Sequence, residues 1–214
     1  MKQPHFIIQI PSDREHTTGQ LLEKLGFSSL RHARECYTDG TTLLELTAPD
    51  TYAGVELLQP IDAASEEEDP LGFRLSFMPE KIFAGLELPG KPQSHCGTFY
   101  EISIPAEVYE FESTVNWWSS MGFEIEEGDP SSSTYVSLLW KDLRVSVYQQ
   151  DKCPHLFDAP AITFFEPDMA DRIQHLKARG IEFTQELSLA NENGHTDHGI
   201  LRLSGDFLLF LFAY

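Results

Sequence analysis

The stretch "ISIPAEVYEFESTVNWWSSMGFEI", residues 102–125, passes through three kinds of local structure. Ile102 and Ile104 alternate with Ser103, the period of a half-buried strand, and Pro105 marks its end. Residues 107–121 then read as a helix, stopped by Gly122 before Phe123 opens the next strand. Two of the chain's three tryptophans, Trp117 and Trp118, stand side by side in the last turn. Neighbours on a helix point about 100° apart, so both rings cannot centre on one packed face. One is expected to seal helix to sheet and the other to reach the flank where a neighbouring unit packs.

The same order recurs elsewhere. "HFIIQI" (5–10) leads to Pro11, a helix carrying Leu21, Leu22 and Leu25, and then Gly26 and Phe27. "AITFFEP" (161–167) leads past Pro167 to Met169, Ile173 and Leu176 at helical spacing, and then to Gly180 and Ile181. Three ordered copies point to duplication of a β-α-β-β-β unit. Residues 5–59 read as one unit, with strands in "ECYTDGTTLLEL" and "TYAGVELLQP". The acidic "DAASEEEDP" (62–70) reads as a linker, and about 71–90 holds a truncated unit. Residues 99–149 and 161–214 make two further complete units. The expected fold is α+β: tandem β-α-β-β-β modules in an N-terminal domain, 1–98, and a C-terminal domain, 99–214. Each pair should form a curved mixed sheet around a cleft, with the helices on the outside.

Composition narrows the function. Of 214 residues, 41% are hydrophobic and 23% charged, which fits a folded globular chain. Asp and Glu outnumber Lys and Arg by 34 to 15, a net charge of -19. That field disfavours nucleic acid and anionic membrane surfaces. No apolar run approaches the roughly 20 residues of a membrane span. The N-terminus lacks the features of a secretory signal, so a cytoplasmic location is expected. Cys36, Cys96 and Cys153 form no CxxC and suit free thiols in a reducing compartment.

"ISIPAEVYEFESTVNWWSSMGFEI", "ITFFEPDMADRIQHLKARGIEF" (162–183) and "LRLSGDFLLFLF" (201–212) together resemble the glyoxalase / bleomycin resistance / extradiol dioxygenase superfamily, the vicinal oxygen chelate proteins. The similarity covers nearly all of 99–214 and is fainter over 5–59. It implies a divalent ion such as zinc, nickel, manganese or iron, held in the cleft by His, Glu or Gln from the first and last strands of paired units. Strand parity sends Phe6, Ile8 and Ile10 to the core face and His5, Ile7 and Gln9 to the cleft. His5 then sits where the family places its first ligand, and Glu56 where it places the glutamate of the last strand. Glu101 is the further carboxylate that parity supplies.

In the C-terminal pair the ligand set is missing. Parity puts Phe99, Glu101 and Ser103 in the cleft, with Ser146, Thr163 and Phe165. Phe99 and Leu209 occupy two of the family's ligand positions, and neither can hold an ion. His195 and His198, in "GHTDHG" (194–199), border the cleft mouth but lack a helical spacing that would converge their rings. No catalytic residue is assigned. The leading expectation is a small-molecule-binding protein with a degenerate metal site, its ligand an organic molecule and the chain a monomer or homodimer. The alternatives are a metal-dependent lyase or dioxygenase using His5 and Glu56, and a structural or interaction scaffold whose clefts are filled by side chains.

Overall fold

A computed structural model describes residues 3–12, 17–31 (without the side chain of Arg31), 34–83, 86–188, 197–204 and 207–213. The N-terminal half comprises β1 (Phe6–Pro11), α1 (Thr17–Lys24), β2 (Ser28–Arg31), β3 (Glu35–Thr38), β4 (Leu43–Thr47), β5 (Gly54–Gln59), β6 (Ser65–Glu68) and β7 (Arg74–Pro79). The C-terminal half comprises β8 (Thr98–Ala106), α2 (Val108–Ser120), β9 (Glu124–Glu127), β10 (Tyr135–Trp140), β11 (Leu143–Gln149), β12 (Ala161–Phe165), α3 (Met169–Ala178), β13 (Gln185–Leu187), β14 (His198–Leu203) and β15 (Phe207–Phe212).

The repeat has a specific local cause. Gly26, Gly122 and Gly180 all take the left-handed backbone, with φ of +92°, +96° and +81°. At each, two hydrogen bonds close the helix end: Phe27 N–H to Leu22 O, Phe123 to Trp118 and Ile181 to Leu176, with the glycine N–H reaching back to the residue three before it. This is the Schellman arrangement, which seats an apolar residue just past the glycine. Phe27, Phe123 and Ile181 are all buried there. Around Gly122 and Gly180 a β-carbon would meet no neighbour, so the backbone angle and not space demands glycine.

Two mixed sheets result. The C-terminal one runs β13-β14-β15-β12-β8-β11-β10-β9, with β8 and β12 antiparallel at its centre and each flanked by a parallel partner, β11 and β15. The N-terminal sheet runs β2-β3-β4-β1-β5-β7-β6, with β1 and β5 antiparallel at its centre. Three expectations change here. The first β-α-β-β-β unit is complete at β4, because β2 supplies the strand that sequence reading overlooked. The strand at 54–59 therefore opens the second half-sheet instead of closing the first. The acidic segment expected to be a linker forms β6 on the outer edge of β7.

No α-helix among the described residues accompanies β5, β6 and β7; a single 3-10 turn, Glu80–Phe83, follows β7 and sends Phe83 to the opposite face. The apolar face of that half-sheet is covered from the other half of the chain. Trp118 lies fully buried against Phe73, with ring centroids 6.0 Å apart, and its indole N–H donates to Asp69 Oδ2 at 3.0 Å. Asp69 in turn holds its own turn by accepting from the Leu71 and Phe73 N–H groups. Trp118 also packs edge-on against Phe123, while Trp117 is only half-buried. The two tryptophans differ in burial as the helix geometry requires, but the expected split of roles does not hold: Trp118 alone both seals its own sheet and meets the neighbouring unit through Phe73 and Asp69. The helix-bearing faces of both sheets thus share one core, in which Leu22, Val115, Trp118 and Ile173 stand with strand residues from Phe6 to Leu211. The helices occupy this shared layer instead of simply covering the outside.

Trp118→Ala should cost about 3–5 kcal/mol, from lost burial plus a cavity. Trp118→Phe keeps a ring but removes a donor from the buried Asp69 carboxylate, and should cost about 1–3 kcal/mol. Trp117→Ala should cost clearly less than Trp118→Ala. Denaturant melts of the three variants rank these effects, and equal losses at both tryptophans would refute the difference between them.

Candidate functional site

Each sheet has a second face, opposite the shared core, and the two differ sharply. In the N-terminal half Ile7, Cys36, Leu43, Leu58 and Phe83 fill it with a small apolar cluster. The remaining polar positions are closed by Arg34, whose Nη1 donates to Glu56 Oε2 at 2.6 Å and to Glu45 Oε2 at 3.0 Å. Its Nη2 donates to Glu56 Oε1 at 3.0 Å, and the guanidinium lies 5.5 Å from the centre of the Phe83 ring. Gln9 donates to both carboxylates. Glu56 faces the cleft side as parity required, but from β5, the neighbour of β1, and it is bound to an arginine. Only the carbonyl of His5 is placed by a contact, accepting from Leu58 N–H. His5, Glu56 and Glu101 are not brought together: among the described residues no group of three His, Cys, Asp or Glu side chains is arranged to hold a metal.

The C-terminal half is open. A cleft of about 640 Å³ is lined by Thr98, Tyr100, Glu101, Glu127, Tyr135, Ser137, Tyr148 and Phe165. Its deepest charged group is Glu101, 2% exposed. Oε1 accepts from Ser103 Oγ and Tyr148 Oη, both at 2.8 Å, and Oε2 accepts from Ser146 Oγ at 2.6 Å. Ser146 is joined to Ser137 at 2.6 Å and Ser103 to Thr163 at 2.7 Å, so the hydroxyl shell is itself anchored. Among the described residues no Lys, Arg or His makes a hydrogen bond to Glu101. Burial pushes its carboxyl above the usual range, against the opposing pull of the three hydroxyl donors and of more distant Arg144. Burial and the Glu101 charge raise the Tyr148 phenol as well.

Aromatic rings bound the cleft. Tyr135 and Tyr148 stack with centroids 5.5 Å apart, and Tyr100 meets Phe165 edge-on at 4.8 Å. Tyr100 is 41% exposed and carries the Arg144 guanidinium 4.3 Å from its ring centre. Beyond Glu101, the segment after β11 brings Cys153, His155 and Phe157 against Phe210 and Phe212, filling most of the fourth unit's share of the face.

The placement of Tyr100 corrects the sequence reading. On β8 Glu101 stands opposite Thr163, yet Phe99 stands opposite Phe164, so Tyr100 is an extra residue without a partner on β12. Such a bulge turns two consecutive side chains towards the same face and reverses parity beyond it. Phe99 accordingly points into the shared core, against Phe6 and Phe164, and Tyr100 takes the cleft position expected for it. Leu209 also lies in the core, opposite Ile162, while Phe210 and Phe212 face the other way. Glu101, Ser103, Ser146, Thr163 and Phe165 are where alternation put them, gathered around or beside the carboxylate. His198 Nδ1–H donates to Asp197 Oδ1 at 2.7 Å, and the ring packs on Phe212. His195 lies outside the described residues. Sequence reading missed Tyr135 and Tyr148, although both follow from Ser137 and Ser146 by a step of two along their strands.

Because its carboxyl is raised, Glu101 is protonated at higher pH in the folded than in the unfolded chain. The folded state therefore loses stability as pH climbs from the ordinary carboxylate range through the raised value, and the full penalty remains above it. Glu101→Gln has no such term. Its stability relative to the wild type should improve between about pH 4 and about pH 7.5 in paired denaturant melts. A difference that stays flat, or moves the other way, would show that burial does not govern this group.

With the geometry in place, solved structures of the same fold can be compared. A xylose isomerase-like TIM barrel/4-hydroxyphenylpyruvate dioxygenase fusion protein matches with a TM-score of 0.58 at 10% identity, over 97% of this chain but only 48% of the fusion protein. A 4-hydroxymandelate synthase variant from Streptomyces coelicolor matches with 0.56 at 12% identity, over 95% of this chain and 90% of its own. A catechol 2,3-dioxygenase matches with 0.55 at 12% identity, over 99% of this chain and 87% of its own. No family model and no curated protein sequence matches. No helix among the described residues is long and apolar enough to cross a membrane. The chain has a fold of the glyoxalase / bleomycin resistance / extradiol dioxygenase type, and identities this low speak for the fold alone.

Proposed function

We propose that this protein binds a small organic molecule in its C-terminal cleft, with the sheet of residues 99–214 curving around the ligand and residues 1–98 serving as a support. The observation that carries the reading is the contrast between the two second faces. One is closed by Arg34 and an apolar cluster, and the other leaves about 640 Å³ open between four aromatic rings. That volume lies within the range of cavities that enclose drug-sized ligands, and aromatic walls with a few placed polar groups are their usual lining. Glu101 is held by hydroxyls that are themselves fixed, an arrangement that orients a ligand.

The metal-dependent alternative has little support from the residues it needs. Glu56 is engaged by a guanidinium, and the cleft positions of the C-terminal half offer hydroxyls and rings around one carboxylate. Oxygen or imidazole donors in a set of three or more are the normal requirement for a tightly held divalent ion. The scaffold alternative draws on the filled N-terminal face, which fits a structural half.

Aromatic small molecules screened by thermal unfolding test the proposal. A ligand present at about a hundredfold over its Kd should raise the melting midpoint by about 5–10 °C for a chain of this size. Ser137→Trp would place an indole in the cleft and should abolish that shift, while Tyr135→Ala should reduce it. The midpoint without ligand reports whether each variant folds. Shifts that persist undiminished in both folded variants would move the site elsewhere.

A further inference from the structure

The two halves of the chain carry the same cradle with opposite contents. On β1, Gln9 stands opposite Glu45 of β4 and Ile7 opposite Glu56 of β5. On β8, Ser103 stands opposite Ser146 of β11 and Glu101 opposite Thr163 of β12. Register therefore equates Gln9 with Ser103, Glu45 with Ser146, Glu56 with Thr163 and Ile7 with Glu101. In the N-terminal cradle the acids stand at the second and third of these places, and Arg34 fills the space between them, resting on Phe83. In the C-terminal cradle those places hold hydroxyls, and the acid has moved to the fourth. There Glu101 lies buried against Ser103 and Ser146, and among the described residues no arginine hydrogen-bonds to it.

Resting on the binding role proposed above, we infer that the C-terminal cleft takes an organic cation, whose guanidinium or alkylammonium head reaches Glu101 between Tyr148 and Phe165, as Arg34 reaches Glu45 and Glu56 in the other half. Three further observations agree. A buried carboxylate without a cationic partner is costly, and an incoming cation would offset that cost. The rings of Tyr135, Tyr148 and Phe165 offer the π-faces that organic cations prefer. Glu127, held by the Tyr135 hydroxyl, adds a second negative charge where the cleft meets solvent. The apolar remainder of the lining suits a hydrocarbon or aromatic body behind the charged head.

The burial that raises the Glu101 carboxyl gives the proposal a second signature. A raised carboxyl keeps its proton to higher pH than an exposed glutamate does, and a bound cation would expel that proton. Cation binding should release protons into buffer, and binding of a neutral analogue should not.

Calorimetry with phenethylamine, phenethylguanidine, phenethyl alcohol and phenylacetate tests this, since the four share a body and differ in the head. Both cations should bind wild-type protein at least about tenfold more tightly than the alcohol, equivalent to about 1.4 kcal/mol, with phenylacetate weakest. In Glu101→Gln the affinities of cations and alcohol should converge. Repeating the wild-type titrations in buffers of different protonation enthalpy should show proton release for the cations alone, a measurement that needs no variant. Cations no tighter than the alcohol, or a preference that survives in Glu101→Gln, would overturn the inference while leaving small-molecule binding intact. Failure of all four probes, together with failure of the thermal screen to find any ligand, would overturn the binding role itself.

Discussion

A sheet that carries a helix over only one of its halves leaves the rest of an apolar face bare, and that constraint organises this molecule. The half-sheet of β5, β6 and β7 has Val55, Leu57, Phe73 and Leu75 on its inner face, with no α-helix of its own among the described residues to cover them. Trp118, from the last turn of α2, supplies the cover and at the same time satisfies the buried Asp69 carboxylate. A second seam joins α1 to the turn between β14 and β15, where the Thr18 and Ser204 hydroxyls are hydrogen-bonded. Neither sheet buries its inner face without the other, so the halves are coupled through packing as well as through chain connectivity. This is the physical answer to why two tryptophans stand side by side: one ring serves two sheets, and its neighbour fills the margin.

With the inner faces committed to each other, the opposite faces are the ones left open for a ligand between strands, and their difference arises from few residues. Three polar positions facing one another across the central strands are common to both halves. Acids there, with an arginine from the loop before β3, make a closed internal ion-pair network. Hydroxyls there, with an acid one pleat away, make a hydrogen-bonded carboxylate that has no ion-pair partner among the described residues. The bulge at Tyr100 then adds a ring that regular pairing would have sent into the core, and it supports Arg144 outside the hydrogen-bond shell of Glu101. Small local changes on a fixed register thus decide which half is filled and which is open.

What the sequence made legible follows the same physics. The proline, helix and glycine order was readable because the helix-ending motif needs glycine at a left-handed angle and an apolar residue after it, and both leave marks in the chain. Alternation placed Glu101, Ser103, Ser146, Thr163 and Phe165 on the correct face because regular strands keep a period of two. It failed at Phe99 because a bulge has no marker here: Tyr100 is neither glycine nor otherwise unusual in a strand. At Leu209 it failed because "FLLFLF" is apolar on both faces and offers no contrast between them. The second half-sheet was misread for a different reason. Without a helix it lacks the periodic signal by which the other units were recognised, and its edge strand, "SEEE", has the composition of a linker. Arg34 was invisible to strand parity because it comes from a loop.

The acidity of the chain has a structural origin that bears on how its site should be read. Glu66, Glu67 and Glu68 lie exposed on β6, and Glu124, Glu126 and Glu127 lie exposed on β9, each an outer strand of its sheet. Charge on an edge strand discourages pairing with another chain, so these residues have a sufficient reason to be acidic whatever the protein binds. A net charge of -19 consequently says little about the ligand. Glu101 differs in kind, because an edge glutamate remains solvated whereas Glu101 has surrendered its water for three hydroxyls. A side chain that gains nothing for solubility or edge protection, and that raises the cost of folding when ionised, calls for a reason within the cleft it faces. The fixed hydroxyl shell supplies part of that reason by holding the carboxylate in one orientation. A cation at its open side would supply the rest, since it alone among ligand heads both restores the lost solvation and uses the orientation already in place.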